Sequence, residues 1–514
     1  MAASFGWNPG NARRPKPPLD RRAKLLLILL GGAAGTLMVG TLMTAWVCDD
    51  AWFSLRAAWN LVHGYGLVSN PGERVQAFTS PLWTLLLVLP MVTGLPAYWA
   101  ALLLSALCAG ATVVLVVKRG APGPGGAALA LTLLVCSKAF LDFSSSGLEN
   151  PLIHLLYLGF LIRWARNPHL HPRVLGLLAG LLLLTRLDLA LLVLPHLAVM
   201  ALGRRGLRAL GGLALGLTPL LAWELFSLLY YGSLLPNTAI AKLGDAGLSR
   251  GFLIDRGLAY LHEGLAWDPV TVPVIGLGVL LAVFGPRRTT LPTAAGVLLY
   301  LGYVVWMGGD FMAGRFLAAP QLGAAFVLAQ LPWWKQPSKL ALALAPIIAV
   351  IALSPRWPLR SATIAQLDPD THGYTERQVA DERLVYLERG GLWARLSRHE
   401  LLADAVDGPH DLIVFEEVNG YNAFIAGPGC HVVNPYGLSD AFVARLPADP
   451  PGQERAGHVT RTIPSAYLDS IRAGDNLLED PTQRMLLDDL WLATRAPLMA
   501  PGRGAAILRL MAVP

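Results

Sequence analysis

Two adjacent carboxylates, Asp49 and Asp50, stand directly after a long apolar run, at the end of LMTAWVCDD. Neighbouring carboxylates repel each other, so the pair calls for cations, hydrogen-bond donors or a substrate close by. Further polar residues recur at the ends of later apolar runs. Asp142 and Glu149 bracket DFSSSGLE, and Arg186 and Asp188 lie in TRLD. Asn237 and Lys242 belong to LLPNTAIAK, and Asp310 and Arg315 to GGDFMAGR. Arg and Lys are the residue types that hold phosphate oxygens through charge-assisted hydrogen bonds. Singly, each is an ordinary loop residue in water. Gathered on one face of a membrane, where the bilayer rejects charge, they describe a shared cavity.

The elements that must position them are membrane helices. The 514 residues are 54% hydrophobic and only 15% charged, against roughly 25% charged in soluble domains. Apolar runs occur near 24–46, 96–117, 126–141, 150–165, 172–185, 187–202, 207–230, 268–284, 289–307, 316–331 and 339–354. With the N-terminus in the cytoplasm, alternation sends every tight basic cluster between helices to one side, as the positive-inside rule requires. Those clusters are Lys118 and Arg119, Arg163 to Arg173, Arg204 to Arg208, Arg287 and Arg288, and Lys335 to Lys339. The reading of about eleven spans requires that 81–92 (PLWTLLLVLPMV) does not cross, but lies as a juxtamembrane or re-entrant helix. The polar helix ends then face outside, with a loop at 47–80, a loop at 231–267 and everything after about residue 355.

The expected fold is therefore an α-helical polytopic membrane protein with a C-terminal α/β extracytoplasmic domain. Residues 1–23 form a basic cytoplasmic tail, 24–354 the transmembrane module and 355–514 a periplasmic soluble domain. Short β-like runs, DLIVF at 411–415 and CHVVN at 430–434, mark that last part. The net charge of +7 falls at membrane edges and does not indicate a nucleic-acid partner. Four scattered cysteines give neither a disulfide framework nor a metal site. His372, His399, His410, His431 and His458 lack ligand spacing, and Asp368, Pro369 and Asp370 precede a polar turn rather than following a strand. Within the first loop, Trp52, Leu55, Trp59 and Val62 make an apolar stripe, which predicts an amphipathic interfacial helix over 51–62.

The run from Asp49-Asp50 through NPGERV and TSPLW resembles the GT-C class of polyprenyl-phosphate-dependent glycosyltransferases. More narrowly, it resembles the terminal arabinofuranosyltransferases of mycobacterial cell-wall arabinan and their bacterial relatives. SSGLE at 145–149, LPNTAIAK at 235–242, GGDFMAGRF at 308–316 and, in the tail, GYNAFIAGPGCHVVNPYGLSDAFVARLP at 420–447 continue the likeness in order. GHVTRTIPSAYLDSI at 457–471 follows. The resemblance implies a GT-C fold with the first loop, 47–80, at the reaction centre. It implies that Asp49 or Asp50 is the catalytic carboxylate, and it places Glu73 and Arg74 beside the same loop.

Moving a sugar from a lipid phosphate to a hydroxyl needs a carboxylate to take the hydroxyl proton and cations to hold the departing phosphate. Asp49 and Asp50 are the candidate bases. Lys242, Arg315 and Arg186 are the candidate phosphate ligands, although Arg186 equally suits a pairing with Asp188. Glu73, Arg74, Glu149, Asn237 and Asp310 are candidates for binding sugar or acceptor. No cofactor or metal is expected to be required, since a phosphate already attached to lipid needs less metal help than a nucleotide diphosphate. The expected partners are a polyprenyl-phosphate sugar donor, a cell-envelope glycan or glycoprotein acceptor, and membrane lipids. D-arabinofuranose is the expected sugar and the bacterial inner membrane the expected location. The alternatives are a GT-C transferase for mannose or aminoarabinose, or a lipid-linked sugar flippase or transporter.

Overall fold

The computed structural model describes residues 20–166, 171–203, 206–243, 248–354, 357, 375, 379–398, 412–414, 420–449 and 459–512. Most of the basic tail expected at 1–23 lies outside these residues. So do the stretch around Asp368 to Asp370, and His372, His399, His410 and His458.

The chain is mostly helical. Three helices are long and apolar enough to cross a membrane: Arg21–Met43, Ala97–Gly120 and Arg287–Trp306. Two further candidates are bent pairs. Arg208–Gly216 meets Thr218–Tyr230 at 50°, and Arg250–Trp267 meets Thr271–Phe284 at 108°. Pro219 explains the first bend, because it has no N–H for the preceding turn. The second bend is built around Asp268. Its carboxylate accepts the N–H groups of Val270, Thr271 and, from another helix, Ala139. The sequence reads 231–267 as a loop, whereas the structure makes Arg250–Trp267 a helix of 18 residues. The other apolar helices, Pro81–Val92 among them, are shorter. Large side chains such as Ile28 (70% exposed) and Leu280 (72%) stand on the outside of the bundle, the surface expected of helices that meet lipid.

The C-terminal residues are stitched onto this bundle. Leu412–Val414 and His431–Val433 pair as a two-stranded parallel sheet, with Leu412 opposite His431 and Val414 opposite Val433. The short helix Gly420–Ile425 lies in the crossover between them. It covers the helix Ala51–Val62, where the apolar stripe predicts one. Trp52 packs against Tyr421 and Phe424 with ring centroids 5.0 and 4.8 Å away, so the stripe faces protein rather than an open interface.

A strap over 379–392 joins the two polar loops of the bundle. Ala380 N–H donates to Phe311 O (2.7 Å), and Ala313 N–H donates to Ala380 O (2.9 Å). At its other end Val47 N–H donates to Gly390 O (3.0 Å), and Leu392 N–H donates to Ala45 O (2.9 Å). A buried ion quartet anchors it. Lys138 Nζ bonds Asp142 and lies 2.9 Å from Asp381 Oδ2, and Arg383 Nε lies 2.8 Å from Asp142 Oδ1. Two carboxylates and two cations balance, as buried charges must.

Candidate active site

The two adjacent aspartates have different surroundings. Asp49 is buried, and both of its oxygens accept backbone N–H groups from the C-terminal chain, Gly420 at 2.6 Å and Tyr421 at 3.0 Å. Burial pushes its carboxyl up to about 7, against the pull of those two donors. Asp50, at the start of the helix Ala51–Val62, is 22% exposed through its side chain, and its Oδ2 lies 3.5 Å from Arg315 Nη1. One aspartate therefore holds the loop in place, while its neighbour keeps an accessible carboxylate beside a guanidinium.

Arg315 is the centre of the cluster. Its Nη2 lies 3.4 Å from Glu149 Oε1, and its Nη1 lies 3.9 Å from Asp310 Oδ2. Its Nε has no hydrogen-bond partner among the described residues. These long contacts hold the guanidinium without saturating its donors. Two glycines shape the backbone here. Gly314 takes φ +83°, and a Cβ there would lie 2.8 Å from Ala139 Cβ. Gly147 in SSGLE takes φ +76°, with Val47 Cγ1 2.9 Å from where its Cβ would stand. Only glycine meets both demands, so these two motifs have their glycines where the loops press together.

Glu149 also meets Arg186 Nη1 at 3.3 Å. Burial alone would raise its carboxyl, but Arg315 and Arg186 together hold it below the usual range. Asp188 accepts from Arg186 along one edge, Nε to Oδ1 at 3.0 Å and Nη2 to Oδ2 at 2.9 Å, and Phe316 covers the guanidinium at 4.7 Å. The pairing of Arg186 with Asp188 is thus present, beside its contact with Glu149. Lys242 differs from both arginines: its side chain is exposed and makes no ion pair among the described residues. Burial nevertheless holds its ammonium below the usual lysine range, opposed by the charges of Asp50 and Asp310. The Asp310 carboxyl is raised by burial and drawn down by Arg315 and Lys242.

The structure brings together Asp50, Glu149, Arg186, Lys242, Asp310 and Arg315, from loops more than two hundred residues apart. It does not bring Arg74 or Asn237 into their contacts. Arg74 donates to the carbonyls of Tyr230 (3.1 Å), Ala493 (3.3 Å) and Ala496. Asn237 donates to those of Gly437 (2.7 Å), Leu438 (3.3 Å) and Asp440 (3.1 Å). Both also line a separate recess with Gln76, Ser233, Arg445 and Thr494. Glu73 sits beside His431 and Arg495, and Asp142 is taken up by the ion quartet. Sequence reasoning overlooks Lys138, Asp381, Arg383 and Arg495. A lone Lys138 in an apolar stretch is the one signal that could have been read.

No family model matches the chain. A terminal beta-(1->2)-arabinofuranosyltransferase of Mycobacterium tuberculosis is 31% identical over 446 residues, covering 74% of this chain and 68% of that one. A protein of the same name from Corynebacterium glutamicum is 30% identical over 337 residues, covering 56% of this chain and 48% of that one. Among solved structures, ArnT from Cupriavidus metallidurans bound to undecaprenyl phosphate aligns over 82% of this chain and 76% of its own, at 15% identity and a TM-score of 0.47. The match to the mycobacterial protein takes in most of both chains, and the helices carry the apolar surface of a membrane enzyme. The chain belongs to the terminal beta-(1->2)-arabinofuranosyltransferase family and is, with it, a membrane glycosyltransferase.

Proposed function

We propose that this protein transfers D-arabinofuranose from a polyprenyl-phosphate donor to a hydroxyl of a cell-envelope glycan or glycoprotein, on the extracytoplasmic side, with Asp50 as the base. The observation that carries this reading is the accessible Asp50 carboxylate 3.5 Å from Arg315, with Lys242, which makes no ion pair among the described residues, under the influence of the same carboxylate. The family membership names the sugar.

In the reaction, the acceptor hydroxyl attacks the anomeric carbon and gives its proton to Asp50. The bond from that carbon to the phosphate oxygen breaks, and the polyprenyl phosphate leaves with the electron pair. Lys242 and Arg315 meet the charge that develops on the phosphate, an electrostatic contribution prepared in advance by the acidic groups that hold Arg315 in place. Arg186, held along one edge by Asp188, works mainly by keeping Glu149 charged and in place. Glu149 in turn orients Arg315. Asp310 has one oxygen without a hydrogen-bond partner among the described residues and is the candidate for a sugar hydroxyl. The proposal requires no metal.

The same reading keeps about eleven spans, with the shorter helices crossing alongside the long ones. It keeps the N-terminus in the cytoplasm, and it places residues 355–514 outside as a cover over the loop at 47–80. Purified protein supplied with synthetic polyprenyl-phosphoryl-arabinofuranose tests it. Sugar transfer or slow donor hydrolysis, lost in Asp50→Asn, is the expected result. Turnover only with a mannose or aminoarabinose analogue would overturn the sugar. Silence with every lipid donor would overturn the transferase mechanism.

A further inference from the structure

A second polar cluster lies where the first loop meets the C-terminal chain. Glu73 is buried, and its Oε2 lies 3.8 Å from His431 Nε2 while its Oε1 lies 3.8 Å from Arg495 Nε. Neither Glu73 Oε2 nor His431 Nε2 has a hydrogen-bond partner among the described residues. The His431 side chain is 19% exposed and that of Arg495 26%, so both side chains reach solvent. Arg495 stacks on the Trp491 ring at 4.2 Å. Held there, with Glu73 on its Nε side, it makes no hydrogen bond through either Nη group among the described residues.

The cluster is assembled by backbone clamps. Asn70 exchanges two hydrogen bonds with Val432, the residue after His431, at 2.9 and 3.0 Å. Arg74 N–H donates to Thr494 O at 3.0 Å, which fixes Glu73 against the residue before Arg495. Asp440 lies nearby but is satisfied by Tyr467 Oη (2.6 Å) and the N–H groups of Phe442 and Val443 (2.9 and 2.8 Å).

The chemistry selects a class of ligand. Burial pulls the His431 imidazole down to about 4, so it is neutral near pH 7. With the ring proton on Nε2, towards Glu73 at 3.8 Å, the neutral imidazole offers Nδ1 as an acceptor. An acceptor at His431 and planar donors at Arg495, beside an aromatic ring, suit a pair of sugar hydroxyls. The acidic groups Glu73 and Asp440 face the cations Arg495 and Arg56, so the cluster has no excess of cations to select an anion.

Resting on the transferase reading, we infer that Glu73, His431 and Arg495 form a subsite for a neutral furanose of the acceptor glycan, at a residue other than the one attacked. The placement follows from the helix Ala51–Val62. Its Arg56 donates to Cys430 O, next to His431, at 3.0 Å, and six residues of helix put Arg56 about 9 Å from Asp50. Binding energy gathered at such a remote site can be used to orient the reacting hydroxyl.

The test uses the full chain and a short arabinofuranose oligosaccharide. Binding without donor, and the acceptor dependence of transfer, are measured for wild type, His431→Ala and Arg495→Ala, with melting temperatures as the folding control. The expected result is oligosaccharide binding weakened about tenfold or more in Arg495→Ala, as loss of a charge-assisted contact gives, and about threefold or more in His431→Ala, as loss of a neutral one gives. In transfer the loss falls on the acceptor KM rather than on kcat. Unchanged binding in both folded variants would overturn the subsite, as would a kcat loss with acceptor KM unchanged. A wild-type protein that binds the oligosaccharide, loses it in the variants and yet turns over no lipid donor would keep the subsite and overturn the transferase reading.

Discussion

The backbone N–H of Gly420 donates to Asp49 Oδ2 at 2.6 Å, across 371 residues of chain. That bond, with its neighbour from Tyr421, fastens the C-terminal chain to the loop that carries Asp50. It also gives the two aspartates different surroundings, because Asp49 accepts two amide protons while Asp50 lies beside Arg315.

Asp49→Asn should destabilise the protein by about 1–3 kcal/mol, because an amide cannot accept from both N–H groups and one is left buried without a partner. The pH dependence has a definite sign. Between the ordinary value of 3.8 and about 7 the folded chain holds a proton on Asp49 that the unfolded chain has released. Its contribution to stability is therefore present at low pH and lost as pH rises through about 7. Thermal melts of wild type and variant from about pH 5 to about pH 8 check both points, since the variant should lack this slope.

Asp50→Asn should lower transfer by roughly 10²–10⁴-fold, the range for a positioned base. Its melting temperature should stay near that of wild type, as the side chain is partly exposed and caps nothing. Single-turnover rates with a lipid-linked donor read the first effect and a thermal melt the second. Full activity in this variant would remove Asp50 from the proposed base role.

Lys242→Gln and Arg315→Lys should fail differently. Lys242 makes no ion pair among the described residues, so its loss should raise the donor KM by about tenfold or more, as for one charge-assisted contact. Arg315 touches Asp50, Glu149 and Asp310 at once. A lysine there keeps the charge but cannot reproduce the fork, and kcat should fall with KM. Steady-state kinetics against donor concentration distinguish the two.

Arg383→Gln should cost about 3–5 kcal/mol, because it leaves the other three members of the quartet, Lys138, Asp142 and Asp381, with a buried charge unbalanced. The strap anchored there bonds the backbone beside Asp310 and the backbone before Asp49. Activity should therefore fall at temperatures below the melting transition as well. Melting curves and kcat measured across temperature check this. A variant as stable and active as wild type would show that the quartet does not hold the strap.

The helix Ala51–Val62 is legible because its apolar stripe repeats at helical spacing, and the strands at 412–414 and 431–433 because their apolar runs are short and β-branched. The helix Arg250–Trp267 is missed because its charged residues break the apolar run that marks a span. The candidate residues Asp50, Glu149, Lys242, Asp310 and Arg315 are legible because charge is costly at the end of a membrane helix. The roles of Asp49, Arg74 and Asn237 are not, because their partners are backbone groups hundreds of residues away, which side-chain type does not reveal.

By itself, then, the sequence determines the helical membrane character, the order of the motifs and the set of charged groups. These follow from local hydropathy and residue chemistry, which each segment carries wherever it folds. Only the tertiary structure decides that Asp49 anchors while Asp50 stays accessible, that Asp188 claims an edge of Arg186, and that Glu73 turns towards His431 and Arg495. Each of these depends on which distant group arrives first within about 3–4 Å, and charge interactions at that range are set by geometry that no local stretch of chain contains.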